Sequence, residues 1–325
     1  MKSMKLNPQT PPFSIQIEPT EGCNLGCSFC GLQGMKKKGK TPWNFMTLET
    51  AERIASDEVE RVGWHSKFIF AMHGEPTLNK HLFEIINIFH EHCPDALKYV
   101  ISNGCGIVHS EDILEYVKLL KEVGVNHLLL DNYSDDGDWS KVVKAVGNEF
   151  EILTLQRGIP MFSPKKKFDI LVMPSIREVK IGSVRSLKNH CGAAFPPADG
   201  FTEKRCTMPF REMSFRWNGN VAICCDDFRG EYPIGNIFDM GIEELWNHER
   251  FQAARVMIYN NERGFHPCNI CNNTSMRVGL LPDPMGKETL PGITKEVRRI
   301  AESVSEENEP FAMIVKRPWE NGKTE

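Results

Sequence analysis

Glu21-Gly22-Cys23-Asn24-Leu25-Gly26-Cys27-Ser28-Phe29-Cys30 is the stretch from which the rest of the chain is read. Three cysteines spaced Cys-x3-Cys-x2-Cys share a loop with two glycines, directly after an apolar, β-rich run at residues 13–18. Thiols this close in sequence let a short loop wrap one metal centre, and soft thiolates suit zinc or an iron–sulfur cluster. Only three ligands are offered, so a four-iron cluster bound there keeps one iron open to a further ligand. Spacing alone leaves a zinc loop, or three structural thiols, standing beside the cluster.

Outward from this loop, further β-rich runs at residues 67–72, 98–102, 127–131 and 168–173 read as strands. Between them lie helical patterns. Residues 47–62 place Leu48, Ala51, Ala55, Val59 and Val62 on one face, and Ser110 is positioned to cap a helix over 111–123. Alternating strands and helices predict βαβ units and a parallel sheet, hence an α/β class. Residues 138–160 are left open, because Gly147-Asn148 interrupts their helical pattern.

Composition narrows the function classes. A chain of 325 residues with 41% hydrophobic and 25% charged residues can bury a sizeable core and is not globally disordered. With 39 Lys plus Arg against 43 Asp plus Glu, the net charge of -4 gives no general attraction for phosphate backbones or anionic lipid, so direct nucleic-acid binding is not indicated. Residues 1–12 are polar without an apolar signal core, and no run of about 18 apolar residues follows, which predicts a cytoplasmic protein with no membrane partner. Eleven cysteines in a reducing compartment serve metals or redox chemistry more than disulfides, and the odd count forbids full pairing.

With Phe29 as the aromatic, Cys-x3-Cys-x-aromatic-Cys resembles the signature of the radical S-adenosylmethionine (radical SAM) superfamily. The resemblance implies a partial (β/α)6 TIM-like barrel. It also implies a [4Fe-4S] cluster on Cys23, Cys27 and Cys30 whose open iron chelates the amine and carboxylate of S-adenosylmethionine. Cleavage by an electron from a donor such as flavodoxin or ferredoxin then yields a 5′-deoxyadenosyl radical that abstracts hydrogen. His73-Gly74-Glu75-Pro76 is similar to the family's Gly-Gly-Glu motif, which holds the methionine ammonium, with His73 replacing the first glycine. Ser102-Asn103-Gly104 resembles the Thr-Asn-Gly near the ribose and methionine carboxylate, and Asp131-Asn132 falls where ribose-binding groups are common. The implied cofactor-binding set is thus Phe29, Gly74, Glu75, Ser102, Asn103 and Asp131. Each motif falls at the carboxyl end of a predicted parallel strand, the edge where barrel and open-sheet enzymes build their sites.

Past the linker-like residues 195–200 the cysteine density rises. Residues 213–217 and 220–224 read as two strands joined by a type I′ turn at Asn218-Gly219. A helix is predicted over 242–257 and another over 294–304. Cys206-x12-Gly219-x4-Cys224 and the later Cys268-x2-Cys271 offer four thiols in two pairs, which by spacing alone suit zinc and iron–sulfur equally. Following a radical SAM barrel, the pattern resembles the opening of the SPASM domain, as do Gly235-Asn236-Ile237 and Glu243-Glu244-Leu245-Trp246. Four ligands instead of seven resemble the shortened twitch version, which implies one auxiliary [4Fe-4S] cluster with no open iron. Cys225 is an alternative to Cys224. The expected division is an extension at 1–12, a barrel at 13–194, a twitch-like domain at 195–280 and a tail at 281–325.

The remaining thiols, Cys93, Cys105 and Cys191, read as buried small hydrophobes, with Cys105 and Cys191 as candidate hydrogen-atom donors. Lys36-Lys37-Lys38-Gly39-Lys40 reads as a solvated face that could also draw an anionic substrate or acidic electron donor. Asp226, Asp227 and Glu231 read as solvated, with a general base possible among them. The expected function is radical abstraction of hydrogen from an unactivated carbon of a small-molecule, sugar or nucleotide-like substrate, with net oxidation. The alternatives are redox-neutral isomerisation, epimerisation or rearrangement of a nucleoside, sugar or peptide and, in another class, a zinc-stabilised nucleic-acid-binding protein.

Overall fold

A computed structural model describes residues 11–27, 29–32, 43–56, 67–134, 136–154, 168–173, 191, 193, 206–273 and 293–307. The lysine-rich run 36–40, the linker 195–200 and helical positions Val59 and Val62 lie outside the described residues. The strands are β1 (Ser14–Ile17), β2 (Thr20–Glu21), β3 (Asn44–Phe45), β4 (Lys67–Phe70), β5 (Lys98–Ser102), β6 (His127–Leu130), β7 (Ile152–Thr154), β8 (Asp169–Val172), β9 (Glu212–Phe215), β10 (Asn220–Ala222) and β11 (Pro233–Asn236). The helices are α1 (Leu48–Ala55), α2 (Leu82–His92), α3 (Cys105–Val108), α4 (Ile113–Glu122), α5 (Asp138–Val146), α6 (Met208–Arg211), α7 (Ile242–Trp246), α8 (Glu249–Tyr259) and α9 (Lys295–Glu307).

All but β2 and β3 join one sheet in the order β11-β10-β9-β1-β4-β5-β6-β8-β7. From β9 to β7 every pairing is parallel, and β1, β4, β6 and β8 are buried at every position and β5 at all but Ile101. Continuous burial is what a parallel sheet covered by helices requires. The five strands expected from sequence are β1, β4, β5, β6 and β8, and they lie side by side in chain order. Of the open stretch 138–160, the described residues 138–154 form α5, capped at Gly147, and β7, which takes the edge position outside β8; residues 155–160 lie outside the described residues. These six parallel strands and their helices form the partial barrel.

The C-terminal region is continuous with the same sheet, because β9 pairs in parallel with β1 on the side away from β4. Three local expectations are corrected. Asp112, not Ser110, caps α4: its side chain accepts from the Glu115 amide at 3.0 Å, while Ser110 Oγ donates back to the Ile107 carbonyl at 2.6 Å. The β9–β10 connection is not a type I′ turn, since Gly219 has positive φ (83°) and Asn218 does not. Instead Arg216 and Asn220 bracket a three-residue loop, with the Arg216 amide bonded to the Asn220 carbonyl at 2.8 Å. The helix expected over 242–257 is two helices, broken where His248 turns its side chain onto the Arg250 amide. Between them Arg255 is fully buried, stacked 4.0 Å over Trp246 and bonded to the Pro209 and Trp246 carbonyls.

Candidate active site

The loops after β1, β4, β5 and β6 meet at the carboxyl edge of the sheet around a cavity of about 200 Å³. Cys23, Cys27 and Cys30 form one wall, and the turn closing that loop is fixed by the Cys30 amide on the Cys27 carbonyl at 3.1 Å. The opposite wall is strapped to it. The Glu75 amide donates to the Gly22 carbonyl at 2.9 Å, and Gly22 and Gly74 form a parallel bridge. Only glycine fits at 74, because a Cβ there would stand 2.0 Å from the Thr20 carbonyl oxygen. Just before it, Met72 lies in the left-handed region at φ 72°, a conformation that side-chain-bearing residues adopt at a cost and mostly at functional sites.

The Glu75 carboxylate lines the cavity and is 2% exposed. Its Oε1 accepts from Thr77 N (3.1 Å), Thr77 Oγ1 (2.6 Å) and Ser102 Oγ (2.7 Å), and its Oε2 from Asn103 N (2.8 Å). Burial nonetheless raises its pKa, so a cation beside Oε2 would be electrostatically welcome. Asn103 reaches the cysteine loop, its Nδ2 donating to Asn24 Oδ1 at 3.1 Å and to Cys23 Sγ at 3.5 Å. Asp131 also faces the cavity, accepting from the Tyr133 hydroxyl at 2.8 Å, and burial pushes its carboxyl up to about 7. Phe29 packs on Tyr133 with ring centroids 5.5 Å apart. Five of the six expected cofactor-binding residues therefore line one cavity. Ser102 lies behind it, its hydroxyl spent on Glu75.

Of the eleven cysteines, only Cys23, Cys27 and Cys30 line the cavity. Cys105 faces away, 3.6 Å from His109 Nδ1. Cys206, Cys224, Cys268 and Cys271 are buried together at a second site, and Cys191 joins them by hydrogen bonds to Cys224 and Cys271. Buried Arg263 hydrogen-bonds Cys271 and faces Cys268 and Cys206, a cation that offsets thiolate charge. The Asn273 amide adds an N–H···S bond to Cys271 at 3.3 Å. Asp226, Asp227 and Glu231 are not solvated but buried, and each is engaged: Asp226 with Asn273, Asp227 with the Glu231 and Tyr232 amides, Glu231 with Arg229 and His266.

Thiol separation bears on which group fits. Four thiolates on one zinc with bonds of about 2.3 Å stand roughly 3.8 Å apart, whereas ligands on different irons of a cubane stand farther apart. Among the described residues the only trio of ligand atoms all within 4.8 Å of one another is Cys105, His109 and Asp138. Neither cysteine set is drawn in around a single ion, and three or four soft thiolate donors are the donor chemistry of an iron–sulfur cluster.

The sequence comparisons agree with this chemistry. The family model of the radical SAM superfamily matches residues 17–149, and that of SPASM, an iron–sulfur cluster-binding domain, matches residues 206–273. This chain is a radical SAM enzyme with a SPASM domain. Among its relatives, the S-adenosyl-L-methionine-dependent 2-deoxy-scyllo-inosamine dehydrogenase of Niallia circulans is 22% identical over 267 residues, 81% of this chain and 94% of its own. The fold is shared with BtrN in complex with AdoMet and 2-DOIA, with a TM-score of 0.62 at 20% identity over 82% of this chain and 95% of that one. BtrN in an open conformation gives 0.53 at 19% identity, over 81% and 94%.

As a radical SAM enzyme the protein uses a [4Fe-4S] cluster and S-adenosylmethionine, with auxiliary iron–sulfur in its SPASM region, and the zinc-stabilised nucleic-acid-binding reading falls. The SPASM match begins at Cys206 and encloses Cys224, Cys268 and Cys271, leaving Cys191 outside it. Sequence reading missed Tyr133, Phe228 and Met72 as cavity residues. Phe228 carried a usable signal, standing four residues after Cys224. His73, in place of the family's first glycine, links the two sites: Nδ1 lies 2.7 Å from Glu18 Oε1, Nε2 donates to the Cys225 carbonyl at 2.9 Å, and the ring packs 4.1 Å from Phe228. No helix among the described residues is long and apolar enough to cross a membrane.

Proposed function

We propose that this radical SAM enzyme oxidises a secondary alcohol on a small polar ring, a cyclitol, sugar or nucleotide-like substrate. Cys23, Cys27 and Cys30 hold the cluster that binds S-adenosylmethionine, and Cys206, Cys224, Cys268 and Cys271 hold one auxiliary cluster. When loaded, the first cluster supplies the reducing electron that converts S-adenosylmethionine to a 5′-deoxyadenosyl radical. Phe29, Gly74, Glu75, Asn103 and Asp131 bind the cofactor from the cavity walls, Glu75 Oε2 receiving the methionine ammonium, with Ser102 setting the Glu75 rotamer. Flavodoxin or ferredoxin provides the electron, and the reducing cytoplasm suits a chain with eleven cysteines.

One observation carries the choice of oxidation: the two thiol sites share a wall. Buried Leu32, Ala193 and Phe228 form one apolar cluster against which Cys23 and Cys30 pack, and Phe228 lies in the turn that follows Cys224. Taking a hydrogen atom from an alcohol carbon leaves a proton and an electron to remove before a carbonyl forms, and the shared wall gives that electron a short path to an acceptor. Epimerisation would instead need a thiol beside the substrate to return hydrogen. Cys105 and Cys191 do not line the cavity, which favours oxidation further. The dehydrogenase relative supports the same direction and suggests amino cyclitols as first substrates.

The test is anaerobic incubation with S-adenosylmethionine, reductant and carbinol-deuterated cyclitols or amino sugars. Expected are one deuterium in 5′-deoxyadenosine and a ketone product in equal amount. Deuterium transfer with a product isomeric to the substrate would replace oxidation by epimerisation.

A further inference from the structure

Behind the Asn103 loop, outside both cysteine sites, three donors of different kinds converge. Cys105 Sγ, one ring nitrogen of His109 and one carboxylate oxygen of Asp138 all lie within 4.8 Å of one another. Cys105 and His109 stand one turn apart on α3, the His109 amide bonded to the Cys105 carbonyl at 3.1 Å, so both side chains share a face. Asp138 opens α5. Gly104 is what lets α5 come so near: it holds φ 89°, and a Cβ on it would stand 2.9 Å from the Trp139 amide nitrogen and 3.0 Å from the Asp138 carbonyl carbon. The thiol is buried, Asp138 half-buried and His109 exposed, which leaves a path in from solvent.

We propose that Cys105, His109 and Asp138 form a zinc site with water in the fourth position. Sγ and Nδ1 stand 3.6 Å apart. Zinc bonds of about 2.3 Å to sulfur and 2.0–2.1 Å to nitrogen at the tetrahedral angle set the same separation, roughly 3.6 Å. Turning the Asp138 side chain brings its oxygen to a similar distance. One thiolate and one carboxylate cancel the charge of Zn²⁺, as a buried site requires. Mixed sulfur, nitrogen and oxygen donors suit zinc, which outcompetes ferrous iron for the same ligands. On binding, the Cys105 S–H bond gives way to a bond from sulfur to zinc, and the proton leaves to solvent. Nδ1, which donates to the Cys105 carbonyl at 2.8 Å, exchanges its proton for zinc, and the exposed Nε2 carries the proton of the neutral ring instead. No electron moves. Lys141 competes for Asp138, its Nζ lying 2.7 Å from Oδ1. The metal clamps α3 to α5. Through the Cys105 amide, which donates to Asn103 Oδ1 at 2.9 Å, it also steadies a residue of the active cavity.

The experiment uses the anaerobic holoenzyme, whose cluster cysteines are taken by iron, equilibrated with zinc chloride and then freed of excess metal. One zinc per chain is expected beyond the iron, and its X-ray absorption spectrum should show a single sulfur among nitrogen and oxygen ligands. Cys105→Ala, His109→Ala and Asp138→Asn should each weaken zinc binding by more than about tenfold, since even groups that only support a metal act on that scale. Lys141→Met, which frees the Asp138 carboxylate, should tighten it about threefold, the worth of an exposed ion pair. No zinc beyond a buffer blank, the result for a thiol that merely rests on an imidazole, overturns the proposal. So does zinc surrounded by several sulfurs, which would sit in a cysteine cluster. Two variants cover poor folding of Cys105→Ala, because His109 and Lys141 are exposed. Unchanged affinity in His109→Ala, or no gain in Lys141→Met, overturns the proposal as well.

Discussion

The two thiol sites differ in what surrounds them more than in what they contain. Cys23, Cys27 and Cys30 are each partly exposed and open into a cavity lined by Glu75, Asn103 and Asp131. Cys206, Cys224, Cys268 and Cys271 are buried, the last two on the turn that starts at Cys268, with Arg263 beside them. An open three-thiol site invites a ligand. A sealed four-thiol site excludes one, which leaves electron transfer or structural support. The fold joins both to one sheet: β1 feeds the first loop, β9 feeds the second site, and the two strands pair directly. A buried charge network ties the joint, with Arg216 on Glu18 (3.5 Å) and on Glu21, and Trp217 Nε1 on Glu21 at 3.2 Å.

The comparison breaks most sharply by emptying one site at a time. Cys23→Ala, Cys27→Ala and Cys30→Ala together should abolish 5′-deoxyadenosine formation while leaving about four irons per chain. Continued cleavage would mean that the second site is the reactive one. The reverse experiment, Cys268→Ala with Cys271→Ala, should suppress oxidised product far more than 5′-deoxyadenosine. Metal sites in small domains are often structural staples, so circular dichroism must first show that the variant is folded. Full product yield from a folded variant would reduce the second site to a staple.

Next in size is the strap across the open site. Gly74→Ala drives a methyl group against the backbone oxygens of Thr20 and Gly22, which cannot rotate away. The Gly22–Gly74 bridge must open, at about 3 kcal/mol, and S-adenosylmethionine binding should fall with it. An unchanged melting temperature would show that the strap is loose. Glu75→Ala should weaken S-adenosylmethionine binding about tenfold to a hundredfold, or roughly 1.4–2.8 kcal/mol, without loss of iron. Equal affinity by equilibrium dialysis would remove Glu75 from the ammonium site.

Much of this was legible in the sequence because it is local. Cys-x3-Cys-x2-Cys, Gly74-Glu75, Asn103 and Asp131 each follow a strand whose apolar run is visible, and a parallel sheet brings strand ends to one edge. What the sequence hid is non-local. Cys191 has no cysteine partner at metal spacing, and only the return of the chain beside Cys224 and Cys271 brings it to the second site. The burial of Asp226, Asp227 and Glu231 was invisible for the same reason: their partners, Asn273 and His266 among them, lie up to 47 residues away. The helix break at Asn247-His248 has no Gly or Pro to announce it.

The smallest expected effect tests whether the open site is as water-poor as its walls imply. Burial lifts the Asp131 carboxyl from an ordinary 3.8 to about 7. The folded chain therefore holds a proton that the unfolded chain has already released between those values. The contribution of Asp131 to stability accordingly falls as pH rises from about 4 to about 7 and is constant above that. Asp131→Asn stays neutral throughout and its amide oxygen can still accept from Tyr133, so the variant escapes the fall. Its melting temperature should lie close to that of the parent near pH 4, rise above it through pH 5 and 6, and exceed it by a few degrees above pH 7. Parallel curves for the two proteins across that window would mean that Asp131 is hydrated and ionised at neutral pH. Its place in the cavity would then resemble an open surface more than a binding wall, and the contrast between the two sites would rest on the cysteines alone.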